Sequence, residues 1–291
     1  MKTISIIAIY IICLNLFCKD IELENPAPKT KSLRIDEKEI HSVKSKYSTI
    51  KIRDYGSIRS LYFVRDNGDE ALESSIDTAY PHELFLLYTQ TMFASFLISE
   101  NQDELLLIGL GGGSMVHYLN HYFPKTNLDV VDIDPEILNI SKKYFSLNPN
   151  PKTKIYIEDA FSFISKTPKK YHIIFMDAFL KPSSETDSTG IAKKFKEKEF
   201  YKNLKSKLKE NGLVVFNINS NETLNEDIEK IREEFNHTYK FQKNQSGNLI
   251  VIASMNKEKI SKEAILKKAK LFDEQKKANF SYVDLSSYQK D

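Results

Sequence analysis

The strongest constraint on the fold is a continuous apolar run that ends at a glycine cluster. Residues 105–108 read LLLI, and the next five residues read GLGGG. A strand that is apolar at every position is buried on both faces, as in the centre of a parallel sheet. Glycines directly after such a strand allow a tight turn with positive φ and let a ligand approach the backbone closely. The segment therefore predicts a parallel sheet with a ligand-binding turn between a strand and a helix.

Similar apolar runs recur along the chain and alternate with helical stretches. Further strands are predicted at residues 128–133, 154–157, 173–176, 213–218, 238–242 and 249–253. Helical stretches at 115–123 and 136–145 separate the first of these strands. Strands that alternate with helices favour parallel neighbours joined by crossovers. We therefore expect an α/β fold within residues 81–255, namely a doubly wound, mostly parallel sheet of seven strands.

The segments that flank this sheet have different patterns. Residues 47–80 carry strand-like composition and the turn signals DYGS and DNG, which predict a small antiparallel β unit. Apolar residues at helical spacing predict one helix over 82–98. Residues 256–291 form a charged C-terminal helix and tail in this interpretation, and the Lys/Glu run is typical of a solvated face.

The N-terminus is predicted to be a targeting or anchoring segment. Residues 1–18 hold an apolar run that is shorter than the about 20 residues of a spanning helix. The run fits a secretory signal, and Cys18 at its end suggests lipidation, although Phe17 stands where a small residue normally precedes the cysteine. An uncleaved anchor and a buried strand are the alternatives. We expect a polar tether over 19–46 and a membrane-associated protein, with a cytoplasmic one as the alternative.

Charge and residue counts exclude several classes of site. Lys and Arg number 42 and Asp and Glu 40, a net charge of +2, and this balance argues against a nucleic-acid partner. Both cysteines, Cys13 and Cys18, lie near the N-terminus, and the six histidines form no HExxH pair. We therefore expect no metal site in the body of the protein.

Acidic residues follow successive predicted strands. Asp132 lies 19 residues after Gly113, a spacing at which a carboxylate can accept hydrogen bonds from ribose hydroxyls. Asp159 and Asp177 close the next two strands in the same way. The carboxyl ends of parallel strands meet at one edge, where ligands bind in open α/β sheets. Because Ser114 takes the place of the third glycine of a dinucleotide fingerprint, the pattern fits a pyrophosphate-binding turn imperfectly.

The motifs LLLIGLGGGS, LDVVDIDPEILNISKKYF, IEDAFSFI and YHIIFMDAF, together with the hairpin before them, resemble the spermidine synthase (polyamine aminopropyltransferase) family. That family belongs to the class I S-adenosylmethionine-dependent superfamily with a Rossmann-like sheet. The resemblance implies S-adenosylmethionine or its decarboxylated form as the cofactor and a small-molecule amine as the acceptor. It also implies roles for individual residues: Gly109, Gly111 and Gly113 cradle the cofactor, Asp132 holds the ribose, Asp159 reads the adenine beside Ala160, and Asp177 positions or deprotonates the amine. Tyr88 and Gln90 are candidates for the acceptor side.

The chain departs from the family pattern at several positions. Ser114 stands where the family has an aspartate that binds the free amine of the decarboxylated cofactor. Leu180 replaces a second aspartate at strand four, Lys181 follows it, and Glu73 replaces a glutamine of the β unit. A polycation needs carboxylates to replace its lost hydration, so these changes weaken a polyamine site.

Three functions stay open from the sequence. The first is aminopropyl transfer to an amine, and the second is methyl transfer, because Ser114 leaves room for a cofactor carboxylate. The third is a non-catalytic, membrane-tethered binding protein with a reused fold, which rests on the N-terminal segment. A homodimer is also left open.

Overall fold

Two sheets organise the chain in the computed structural model, which describes residues 37–243 and 247–290. The first sheet is antiparallel, in the order β1-β2-β3-β4. Its strands are β1 (Lys38–Lys44), β2 (Thr49–Tyr55), β3 (Ile58–Val64) and β4 (Glu70–Asp77). We call this four-stranded sheet the N-terminal sheet.

Two short helices, α1 (Leu87–Met92) and α2 (Ser95–Ile98), lead into the second sheet. Its strands are β5 (Glu104–Ile108), β6 (Asn127–Asp132), β7 (Thr153–Ile157), β8 (Tyr171–Met176), β9 (Leu208–Asn219), β10 (His237–Phe241), β11 (Asn248–Ser254) and β12 (Gln289–Lys290). Its helices are α3 (Ser114–Tyr122), α4 (Pro135–Tyr144), α5 (Ala160–Lys166), α6 (Lys198–Ser206), α7 (Leu224–Glu234), α8 (Lys262–Glu274) and α9 (Tyr282–Ser286). We call it the main sheet.

The strand order of the main sheet is β12-β10-β11-β9-β8-β5-β6-β7. The five neighbouring strands β9, β8, β5, β6 and β7 are parallel to one another. Strands β11, β10 and β12 each pair in antiparallel fashion with their neighbours. The chain proceeds from β5 through β6 and β7 to one edge, and then returns to β8 on the other side of β5. The order therefore reverses between β5 and β8, which is where ligands bind in open α/β sheets.

Strand β5 supplies both halves of the core. Leu105 and Leu107 pack into the apolar cluster on one face of the main sheet, and Leu106 and Ile108 pack into the cluster on the other. All four are at most 1% exposed. The unbroken apolar run is thus explained by burial on both faces, and the predicted doubly wound α/β fold with a preceding antiparallel unit is confirmed.

The N-terminal sheet packs directly on the turn after β5. A Cβ on Gly112 would lie 2.9 Å from the hydroxyl of Ser74 in β4. Arg59 in β3 forms a paired contact with Asp54, both at 2.7 Å, and donates to the carbonyl of Tyr144 at 2.6 Å. These contacts place β4 along one wall of the site described below.

The structure differs from the sequence prediction at several boundaries. The tether predicted for 19–46 ends earlier, because residues 38–44 pair with β2 as a strand. The single helix predicted over 82–98 is wrong. Leu84 is buried outside any helix, since Asn279 accepts from its N–H at 3.0 Å and Gln90 donates to its carbonyl at 2.8 Å. The main sheet gains an eighth strand of two residues, which pairs with β10.

The C-terminal helix is docked rather than fully solvated. Ile265 and Ala269 of α8 are buried against the main sheet cluster. The ammonium of Lys268 donates to the carbonyl of Ser99, and burial lowers the pKa of Lys268 to about 8. The predicted signal segment 1–18 with Cys18, and the tether up to residue 36, lie outside the described residues. Among the helices of the described part, none combines the length and apolar character that crossing a membrane requires.

Gly109 provides a test of the turn that follows β5. Its φ is +100°, and a Cβ there would overlap the backbone carbonyl of Asp177. We expect Gly109→Ala to lower the free energy of unfolding by roughly 2–5 kcal/mol, since left-handed strain and overpacking add. Gly68→Ala is the matched control, because Gly68 has φ +87° with no atom within 4 Å of a Cβ, and strain alone should cost about 1–2 kcal/mol. Urea denaturation measures both, and equal losses would contradict the proposed contact.

Candidate active site

A cleft of about 120 Å³ opens at the carboxyl ends of β5, β6 and β8. Six of the residues predicted for the cofactor or the catalytic acid line it together: Gly109, Gly111, Asp132, Asp159, Ala160 and Asp177. Tyr88 of α1 and Glu73 of β4 line the same cleft from the side of the N-terminal sheet. The topology therefore brings distant motifs of the sequence to one site.

The glycine loop, residues 109–113, forms one wall of the cleft. Gly109, Gly111 and Gly113 have φ values of +100°, +51° and +81°. The hydroxyl of Ser141 donates to the carbonyl of Gly111 at 2.7 Å and fixes the loop against α4. Helix α3 begins at the buried Ser114, so the positive end of its dipole lies at the cleft.

Asp132 links the glycine loop to the end of β6. Its two carboxylate oxygens accept from the backbone N–H of Leu110 at 2.8 Å and of Asp134 at 2.9 Å. Burial raises the pKa of Asp132 to about 6, while these backbone hydrogen bonds favour the charged form. Each oxygen has a second lone pair, so the carboxylate can still accept from ligand hydroxyls.

A second acid beside Asp132 has spare capacity to accept a hydrogen bond. Asp134 is 4% exposed and caps α4, with one oxygen accepting from the N–H of Glu136 at 2.9 Å. Its Oδ2 is buried without a hydrogen-bond partner in the described part of the chain. Asp134 lines the cleft, so a ligand hydroxyl is a suitable donor for this oxygen.

The far wall of the cleft suits a flat aromatic base. Asp159 caps α5 through one oxygen, which accepts from the N–H of Ser162 at 3.0 Å, and its side chain remains exposed. Ala160, which is buried, and the apolar side chains of Ile133 and Phe161 line the cleft next to it. A carboxylate beside apolar side chains can accept a hydrogen bond from the exocyclic amine of a base that stacks against them.

Asp177 is held at the end of β8 by two side chains from other elements. The amide of Asn217 in β9 donates to its Oδ1 at 2.8 Å. The hydroxyl of Tyr88 donates to the carbonyl of Glu73 at 3.3 Å and lies close enough to Asp177 to favour its charged form. Burial is the larger effect and raises the pKa of Asp177 to about 6. The group is thus ionised at neutral pH and able to accept a proton.

Glu73 enters the cleft because of a β-bulge. Leu61 of β3 pairs with Ser74 and Tyr62 pairs with Leu72, so Glu73 has no partner residue across the pair. A bulge re-aims a side chain, and here it turns a carboxyl towards Asp177. Burial, followed by repulsion from Asp177, raises the pKa of Glu73 to about 8, and the nearby Arg65 opposes that rise.

The loop after β8, residues 178–192, covers one end of the cleft. Its Phe179 and Leu180 line the cleft, so an apolar residue does stand where the resemblance expects an acid. Lys181 instead forms an ion pair with Asp66, in the turn between β3 and β4. The sequence analysis expects Lys181 to weaken a polyamine site, but its charge is paired with Asp66 and its side chain does not line the cleft.

Two predicted site residues do not line the cleft within the described residues. Gly113 caps α3 and packs against Leu147, where a Cβ would lie 2.9 Å from a side-chain carbon. Gln90 donates to the carbonyl of Leu84 and stabilises the turn before α1. No group of His, Cys, Asp and Glu in residues 37–243 and 247–290 is arranged to hold a metal ion.

The sequence prediction missed Asn217 and Arg65. Asn217 had a usable signal, because it is a 4%-exposed amide inside the apolar strand β9. Such a residue needs a polar partner, which here is Asp177. Arg65 lies at the turn after β3 and had no comparable signal.

Comparison with known proteins finds a family whose model matches this chain. A family model described as the spermine/spermidine synthase domain matches residues 86–261, more than half of the chain. Among curated proteins, a polyamine aminopropyltransferase of Vibrio vulnificus is 27% identical over 221 residues, which cover 74% of this chain and 72% of the relative.

Solved structures agree on the fold. A spermidine synthase in complex with the transition-state analogue AdoDATO superposes with a TM-score of 0.63 and 18% identity, covering 86% of this chain and 84% of that one. Human methyltransferase-like protein 13 in complex with SAH gives a TM-score of 0.61 and 21% identity, covering 65% of this chain and 92% of that one. At these identities the likeness concerns the fold alone.

The bond from Asn217 to Asp177 can be tested directly. We expect Asn217→Leu to raise the pKa of Asp177 above about 6, because the hydrogen bond favours the charged carboxylate. Asn219→Leu is the matched control, since the side-chain oxygen of Asn219 accepts from Asn248 at 2.6 Å and not from a donor to Asp177. Titration of the Asp177 carboxyl carbon by NMR measures the pKa, with Asp177→Asn for assignment. An unchanged pKa in Asn217→Leu would contradict the assigned role.

Proposed function

The chain belongs to the spermine/spermidine synthase domain family, and from that premise we propose that it transfers an aminopropyl group from decarboxylated S-adenosylmethionine to an amine. One observation carries the proposal. Asp177, held by Asn217 and adjacent to Tyr88, lines the same cleft as the glycine loop and Asp132. A carboxylate that can take a proton thus stands beside a surface suited to a nucleoside.

The residues of the cleft fit an adenosyl donor. Asp132 and the unpartnered oxygen of Asp134 would accept from the two ribose hydroxyls. Asp159 would accept from the adenine amine, with Ala160 and Ile133 against the ring. The glycine loop would pack against the remainder of the donor, because the absence of side chains allows a close approach.

The chemistry needs little beyond positioning and one proton acceptor. The donor supplies a carbon activated by sulfonium: as the amine nitrogen bonds to it, the C–S bond breaks and its electron pair stays on sulfur. Asp177 orients the amine and takes the proton that leaves the nitrogen. Asn217 and Tyr88 keep Asp177 in its charged form, and Phe179 and Leu180 exclude water from this end of the cleft.

Methyl transfer from intact S-adenosylmethionine is the second candidate, and Ser114 is the observation that favours it. Ser114 is buried at the start of α3 and lines the cleft. A serine there tolerates a donor carboxylate, which the positive end of a helix also favours. An aspartate at the same position would repel that carboxylate.

The identity of the donor can be decided by product analysis. We expect the protein to release methylthioadenosine from decarboxylated S-adenosylmethionine when an amine is present, as measured by mass spectrometry. Asp177→Asn should slow this release by about 10²-fold or more, because general-base catalysis is worth that much, and should leave methylthioadenosine binding intact.

One result would favour methyl transfer instead: release of S-adenosylhomocysteine from the intact donor with no turnover of the decarboxylated one. The Ser114→Asp variant tests whether position 114 faces the carboxylate end of the donor: it should weaken binding of the intact donor in calorimetry and spare the decarboxylated donor. Equal effects on both donors would show that position 114 does not contact that end of the donor.

We also propose that the domain is tethered to a membrane through Cys18. The proposal rests on the apolar segment that Cys18 closes and on the polar residues that follow it. We expect metabolic labelling with palmitate to mark the wild type expressed in a bacterium and not Cys18→Ser, with Cys13→Ser as the matched control. Absence of label from all three proteins would remove the lipoprotein interpretation.

A further inference from the structure

A second cavity adjoins the cleft on the side of the N-terminal sheet. This side chamber has a volume of about 320 Å³ and shares Glu73, Tyr88 and Phe179 with the cleft. Its other polar lining residues are Arg65, Thr189, Asn217, Asn219 and Asn248. Because Glu73, Tyr88 and Asn217 all lie next to Asp177, the side chamber is where an acceptor would extend from the reacting amine.

Arg65 is the cation of the side chamber within the described residues. Its Nε is buried and has no hydrogen-bond partner there. No carboxylate of the described part forms an ion pair with the guanidinium. Glu73 is the acid whose pKa the positive charge of Arg65 lowers. A guanidinium has five N–H donors in a fork that matches a carboxylate, so this group has unused capacity for an anion.

Glu73, the acid beside Arg65, does not neutralise the positive charge of the guanidinium. The pKa of Glu73 is raised to about 8, so its carboxyl is mostly protonated at neutral pH. The remaining polar groups of the chamber are the uncharged Thr189 and three asparagine amides, two of which are tied to Asn248 at 2.9 and 2.6 Å. Among the described residues that line the side chamber, Glu73 is the only acid, so Arg65 faces no other carboxyl group there.

These charges disfavour a diamine and favour a different acceptor. One end of the acceptor must be an amine that reaches the carboxylate of Asp177, which lines the cleft. A second ammonium at the far end would meet Arg65 and lose hydration without gaining a carboxylate. A carboxylate at the far end would instead receive a charge-assisted pair of hydrogen bonds.

We propose that the acceptor is an aminocarboxylate, whose amine lies at Asp177 and whose carboxylate binds Arg65. This inference rests on the proposed aminopropyl transfer for the role of the bound molecule as an acceptor. The binding preference itself can be measured without turnover. Arg65 is then a specificity-determining residue of the acceptor site.

Two probes of equal chain length test the preference. The full chain, saturated with methylthioadenosine, is titrated in a calorimeter with 4-aminobutanoate or with 1,4-diaminobutane. We expect 4-aminobutanoate to bind at least about tenfold more tightly, the effect of one charge-assisted hydrogen bond. Arg65→Gln should abolish this preference, and Arg65→Glu should reverse it. Arg53→Gln is the matched control, since Arg53 pairs with Glu70 at 2.8 Å on the N-terminal sheet outside the chamber lining.

The binding results decide the inference about the acceptor, and they do so independently of whether the transfer reaction occurs. Tighter binding of the diamine by the wild type, or no binding of either probe, would overturn the inference. An equal loss of both probes in Arg65→Gln would do the same, provided that methylthioadenosine still binds. If 4-aminobutanoate is preferred through Arg65 but no donor is consumed, the acceptor assignment stands and the proposed transfer fails.

Discussion

The contact between the backbone of Gly109 and the carbonyl of Asp177 holds the site together. The strands that end at these residues, β5 and β8, are neighbours at the point where the strand order reverses. Any side chain at position 109 would push the two strand ends apart. The N–H of Asp177 donates to the carbonyl of Ile108 at 2.9 Å, so the catalytic candidate and the glycine loop are set by the same few atoms. The residues proposed for nucleoside binding and for proton transfer are thereby brought to one cleft.

The N-terminal sheet contributes more than a cover for this cleft. Ser74 packs on the glycine loop, and the bulge next to it directs Glu73 towards Asp177. The buried acids repel each other, and Arg65 offsets part of that repulsion. Burial raises the pKa of Asp177 and of Asp132 to about 6 and that of Glu73 to about 8, and hydrogen bonds favour the charged forms of Asp177 and Asp132. The cleft thus contains acids in two protonation states, set by their different partners.

Much of this arrangement follows from local sequence patterns, and the rest depends on contacts between distant residues. The apolar run before the glycines predicts a central parallel strand, and the position of Asp132, Asp159 and Asp177 after later strands predicts their meeting at one edge. The broken helix at 82–98 was not predictable, because Asn279 satisfies the backbone of Leu84 from 195 residues away. The bulge at Glu73 likewise depends on the register between β3 and β4, which no single strand encodes. Gln90 was assigned to the acceptor side from its helix position, but its amide satisfies a local carbonyl.

Two departures from the family pattern, Leu180 and Glu73, line the same cleft as Asp177. Leu180 is apolar where the pattern has an acid, and the adjoining side chamber holds Arg65, which forms no ion pair with an acid of the described residues. Glu73 supplies a carboxyl, but its burial beside Asp177 favours the neutral form. Leu180 and Arg65 both lower the negative charge available to an acceptor beyond its reacting amine, while the carboxylates of Asp132 and Asp159 still line the cleft. Asp177 remains bonded to Asn217 beside the glycine loop, so these differences concern the far end of the acceptor rather than the reacting amine, and the proposed aminocarboxylate rests on them.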